Sequence, residues 1–153
     1  MTVPDGARSP RPGATPVLSR PRRRRLVVAL VLGLVVVAGL LVATRVPDPW
    51  GDVGGDVLYA VATYVLVVLV LARMRPLTAG SVALAWCWAV EALQATGLAA
   101  AVNDAVPPAA WLLGSTFAVR DLVCYLVGVG LAYAVDAWAG ARSATPKRPG
   151  RSG

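Results

Sequence analysis

Polar and apolar positions along this chain separate into long blocks rather than following a short period. Leu26 to Thr44 carries no charge and is almost all Val, Leu, Ala and Gly. An α-helix needs about 20 apolar residues to cross hydrocarbon, so this block predicts a first span over 26–44. No A-x-A cleavage site follows it, which points to a retained helix rather than a signal peptide. A second block runs from about Asp56 to Ala72 and ends at Arg73-Met74-Arg75-Pro76, where basic side chains can snorkel and the proline stops the helix. The third span, about 78–101, lies within Leu77 to Val102 and is interrupted by one charge, Glu91. The fourth, about 116–139, has Arg120 and Asp121 at one end and Asp136 at the other.

Between the blocks, Pro47, Pro49, Gly51, Gly54 and Gly55 predict a loop over 45–55. Pro107-Pro108 breaks the chain again, and Ala109 to Gly114, with Trp111, reads as a short interfacial turn. The fold expected is all-α, an integral membrane four-helix bundle over residues 26–140. Residues 1–25 and 141–153 are basic tails whose Pro, Gly and Ser content predicts disorder.

Charge fixes the expected orientation. Of the 15 Lys and Arg, all but Arg45 and Arg120 fall at the two tails or in the Arg73 to Arg75 turn. The positive-inside rule then puts both termini and that turn in the cytosol, and three or five spans would misplace one cluster. Trp50 and Trp111 near the outer boundary and Trp138 near the inner one agree with it. Arg20, Arg22, Arg23, Arg24 and Arg25 directly precede the first span, an arrangement that attracts anionic lipid headgroups at about 1 kcal/mol per charge. Nucleic acid is not an expected partner, because these charges sit on a membrane chain. A homo-oligomer is compatible with the sequence.

Composition narrows the chemistry. The chain is 57% hydrophobic and 15% charged, with no His and two Cys. His-based zinc, haem and triad chemistry is therefore absent, and no metal or cofactor is expected. Cys87 and Cys124 fall roughly 10 Å apart in height at the helical rise, so they read as packing residues rather than a disulfide. Without an ordinary base for a serine nucleophile, an enzyme is disfavoured.

The candidate site rests on polar residues within apolar spans, where a charge at the bilayer centre costs about 2.5–3.5 kcal/mol. Glu91 and Gln94 share a face of the third span at i, i+3. Asp56, Tyr59, Ala60 and Thr63 share a face of the second; Phe117, Asp121, Cys124, Tyr125 and Gly128 share one of the fourth. Three helices thus offer carboxylates, an amide and tyrosines at overlapping depth, which predicts an outward-opening polar cluster. Asp56, Tyr59, Glu91, Gln94, Arg120, Asp121 and Tyr125 are its candidate ligand residues, and the first helix is expected to be an anchor or lipid-facing strut.

Plainer roles compete. Asp56 suits a helix cap. Asp121 does too, although Ser115 or Thr116 is better placed. Glu91 and Gln94 can serve interhelical hydrogen bonding alone. Arg120 suits a headgroup anchor, Asp136 a solvated group or a partner of Arg142, and Gly128 with Ala132 a close helix approach.

Three segments carry a family resemblance: Gly55-Asp56-Val57-Leu58-Tyr59-Ala60, Glu91-x-x-Gln94, and Leu113-Gly114-x-x-Phe117-x-x-x-Asp121-x-x-x-Tyr125-x-x-Gly128. In their order and spacing the chain resembles the domain of unknown function 2809 family of small bacterial membrane proteins, over about Leu26 to Ala139. The resemblance implies a multi-pass protein of a bacterial plasma membrane. A looser likeness joins Glu-x-x-Gln and the Asp-x-x-x-polar-x-x-Gly segment to VanZ-like proteins, associated with resistance to teicoplanin-type antibiotics, and implies a cell-envelope role. The leading expectation is a cluster that binds a lipid or lipid-linked envelope component. A small proton-coupled transporter using Glu91 and a structural or assembly subunit of a membrane complex are the alternatives.

Overall fold

The computed structural model describes residues 20–114 and 118–143. Regular structure among them is helical: α1 (Arg20–Arg45), α2 (Trp50–Val70), α3 (Pro76–Ala95), α4 (Leu98–Ala105), α5 (Ala110–Leu113) and α6 (Val119–Ser143), with a 3-10 turn at Pro107–Ala109. The long helices α1, α2, α3 and α6 are apolar and long enough to cross a membrane. Leu30 and Leu34 of α1 are 73% and 71% exposed, and no described side chain of that helix is buried. Such a surface aggregates in water and is ordinary in hydrocarbon, which marks a membrane protein.

Pairwise contacts give the direction of each helix. Gly39 meets Leu58, Val42 meets Gly54 and Ala43 meets Gly55, so α1 and α2 run antiparallel. Tyr64 lies beside Gly80, and the Trp86 indole donates to the Tyr59 hydroxyl, which makes α2 and α3 antiparallel as well. Tyr59 packs on Tyr125, while the Tyr64 hydroxyl donates to Asp136 at 2.9 Å, so α2 and α6 are parallel. The start of α1, the turn after α2 and the end of α6 therefore share one end of the bundle. The polar stripes share the other, called here the Trp50 end.

α2 is the hub, packed against α1, α3 and α6. Small residues allow this. Ala60, Ala79, Ala83 and Cys87 are buried with Tyr64, Tyr125 and Val129, so the backbones approach closely, as helices do where packing rather than water exclusion drives association. Gly128 shows the closeness: a Cβ there would lie 2.5 Å from the Val57 carbonyl oxygen and 2.8 Å from Ala60 Cβ. Cys87 and Cys124 are both buried free thiols.

Several element boundaries differ from the expected ones. α1 takes in the basic run from Arg20. α2 starts at Trp50, so Gly51, Gly54 and Gly55 are helical instead of forming a loop. A Cβ on Gly54 would lie 2.6 Å from Val42 Cγ1, and one on Gly55 3.3 Å from Ala43 Cβ. These glycines seat α1 against α2, and packing overrides their weak helix propensity. Asp56 is consequently interior to α2 and does not cap it.

The third span stops at Ala95 instead of reaching 101. Gly97 adopts φ +76°, a left-handed conformation suited to a helix end, and the Thr96 hydroxyl turns back to Leu93 O at 2.7 Å. α4 then forms a separate helix. Asp136 is half-buried and accepts from Tyr64; Arg142 stacks 3.6 Å from the centroid of the Trp138 ring. Ser115, Thr116 and Phe117, assigned capping and stripe roles from sequence, lie outside the described residues.

Candidate functional site

A cavity of about 560 Å³ occupies the Trp50 end of the bundle. Its polar part is lined by Asp52 and Asp56 from α2, Gln94 from α3, and Arg120, Asp121 and Tyr125 from α6. Its remaining wall is apolar and follows α1 and α2, through Leu32, Val35, Val36, Leu40, Leu58 and Leu66. The first helix is thus a wall of the cavity rather than only an anchor or strut. That role has no sequence signal, because a Leu lining a cavity and a Leu facing lipid look alike.

The seven residues picked out by sequence all lie at this end, but they divide into two groups. Asp56, Arg120 and Asp121 present charge to the cavity. Arg120 is half-exposed and bridges Asp52 and Asp121, its Nη2 3.4 Å from Asp52 Oδ2 and its Nε 3.4 Å from Asp121 Oδ1. Asp121 is buried in the first turn of α6 and lines the cavity together with Asp56 of α2. Asp52, which this bridge draws in, was missed by sequence reasoning. It sits four residues before Asp56 on the same helix face, a spacing visible only once α2 is known to begin at Trp50.

The second group holds structure. Glu91 is only 1% exposed and does not line the cavity. Its Oε1 accepts from the Tyr125 hydroxyl at 2.9 Å, and its Oε2 from the Ala118 N–H at 3.4 Å. One carboxyl therefore ties α3 to the chain entering α6 and fixes the Tyr125 ring against the cavity. This is the interhelical hydrogen bonding weighed for Glu91 from sequence. Because α3 ends at Ala95, Glu91 lies roughly 6 Å from the helix end at the usual rise, not deep in a longer span.

Tyr59 and Gln94 do related work on α5. Three consecutive carbonyls at its C-terminal end each receive a side-chain donor from a different helix. The Tyr59 hydroxyl of α2 donates to Leu112 O at 3.1 Å. The Gln94 amide of α3 donates to Leu113 O. The Asn103 amide of α4 donates to Gly114 O at 2.7 Å. These carbonyls have no intrahelical partners at a helix end, so the three clamps replace water there. Clamped in this way, α5 lies as a cover beside the cavity, which Ala110, Leu112, Leu113 and Gly114 also line. Gly114 has φ +66°, which favours glycine at the turn.

With its NH₂ given to Leu113 O, Gln94 Oε1 is buried and has no hydrogen-bond partner among the described residues. Among the described residues no group of three His, Cys, Asp or Glu has metal-binding geometry. The site therefore combines an acidic, acceptor-rich end, a single guanidinium and a long apolar wall.

A family described as "Protein of unknown function (DUF2809)" matches residues 46–129. No curated protein and no solved structure matches the chain. The matched stretch contains each polar residue of the cavity named above and omits α1.

Proposed function

The chain belongs to the DUF2809 family of proteins of unknown function, and on that premise we propose that its cavity holds a lipid or lipid-linked envelope component. The observation that carries this is the division of the lining. Charged groups gather at the Trp50 end, while apolar side chains of α1 and α2 continue toward the middle of the bundle. A headgroup and the first part of an acyl chain have that same division. A cavity of about 560 Å³ lies in the range of small-molecule sites, about 300–1,000 Å³, and takes part of a lipid rather than the whole.

In this reading both termini are cytosolic and the cavity opens outward, as the distribution of Lys and Arg favours. Exposed Arg22 to Arg25 at the start of α1 then contact anionic headgroups of the inner leaflet. The VanZ-like likeness favours an envelope setting. Proton-coupled transport through Glu91 has less support, since that carboxyl is packed behind Tyr125 and away from the cavity.

The test is lipid extraction and mass spectrometry on the full chain purified in mild detergent and washed through detergent exchange. The wild type is expected to retain lipid in near-stoichiometric amount, and Leu40→Trp, which fills the apolar wall, to lose it. Retention no higher than a detergent blank, or equal retention by the variant, overturns the proposal.

A further inference from the structure

The lining of the cavity also bears on which headgroup it would take, an inference that rests on the lipid-holding reading above. Three carboxylates, Asp52, Asp56 and Asp121, face one guanidinium, Arg120, and Arg120 is already bridged to two of them at 3.4 Å each. Asp56 of α2 and Asp121 of α6 line the same end of the cavity. Gln94 adds a buried oxygen with no donor among the described residues. Acceptors therefore outnumber donors at the polar end, and the charge there is formally negative. A buried acceptor left without a donor is unfavourable, as is a pair of like charges, so a complementary ligand brings N–H donors and positive charge.

We propose that the polar end of the cavity recognises a primary ammonium carried by a lipid headgroup, seated between Asp56 and Asp121. An ammonium supplies three donors and a unit charge in one small group. The phosphate of a zwitterionic aminophospholipid would lie at the more exposed side, where Arg120 is the cation available. A headgroup with phosphate and hydroxyls alone meets the carboxylates with only Arg120 to offset them. A quaternary ammonium carries the charge but no N–H donor for Asp56 or Asp121.

The experiment is competitive binding of phosphatidylethanolamine, phosphatidylcholine and phosphatidylglycerol with matched acyl chains to the delipidated full-length protein, read by native mass spectrometry. Phosphatidylethanolamine is expected to exceed each of the others by about tenfold, the effect of one charge-assisted hydrogen bond. Asp56→Asn and Asp121→Asn should bring the ratio toward one while lipid still binds; the wild-type ratio decides the matter even if a variant fails to fold. Equal or preferential binding of phosphatidylglycerol overturns the ammonium assignment and leaves the lipid-holding cavity standing. Phosphatidylcholine binding as tightly as phosphatidylethanolamine overturns the need for N–H donors. Binding of no lipid overturns both proposals, and capture of free spermidine in that case reassigns the site to a soluble amine.

Discussion

Replacing Gly128 with alanine adds one methyl group at the tightest part of the α2–α6 contact. The new Cβ would fall 2.5 Å from Val57 O and 2.8 Å from Ala60 Cβ, and real contacts do not come below 3.0 Å. The two helices must therefore separate by about 0.5 Å or bend, along the contact that sets Asp56 beside Asp121. Overpacking of this kind costs about 1–3 kcal/mol. Alanine also stabilises a helix relative to glycine by roughly 0.4–1 kcal/mol, which blurs the single measurement.

Gly130→Ala supplies the control, because its Cβ would meet nothing within 4 Å on the same helix. The propensity gain is common to both variants, so the difference between them isolates the contact, about 1–3 kcal/mol. Reversible unfolding in mixed detergent, followed by circular dichroism, measures it. Equal stability of the two variants, or a Gly128→Ala protein more stable than Gly130→Ala, refutes the close approach of α2 and α6.

Glu91→Leu orphans the Tyr125 hydroxyl and the Ala118 N–H, at about 1–3 kcal/mol each, whereas Glu91→Gln keeps an oxygen acceptor and loses less. The same unfolding assay should rank them wild type, Gln, Leu. Gln94→Leu removes the clamp on Leu113 O, and hydrogen exchange should rise at 110–114 while α2 and α6 keep their protection. Unchanged exchange at 110–114 would mean that α5 is held by packing alone.

The four long helices were legible because each is written as a long, mainly apolar run with few charges, and the stripe of Asp56 with Tyr59 followed from i, i+3 spacing. What misled were residues whose role depends on a neighbour. Gly51, Gly54 and Gly55 read as loop formers, since nothing in their own sequence shows that α1 must seat against them. Gly97 was hidden within an apolar stretch that continues through Leu98 to Val102. Tyr59 and Gln94 were found by position, but their hydrogen bonds to the backbone carbonyls of Leu112 and Leu113 leave no trace in residue identity. Asp52 was lost with the misplaced start of α2.

The most direct measurement is a crystal structure of the full chain grown from a lipidic mesophase, at a resolution that shows acyl chains. Elongated density along Leu32, Leu40 and Leu66, ending in a headgroup within hydrogen-bonding distance of Asp56, Asp121 or Arg120, is the expected result. A cavity filled only with water, or closed by α1 collapsing onto α3, would contradict the account.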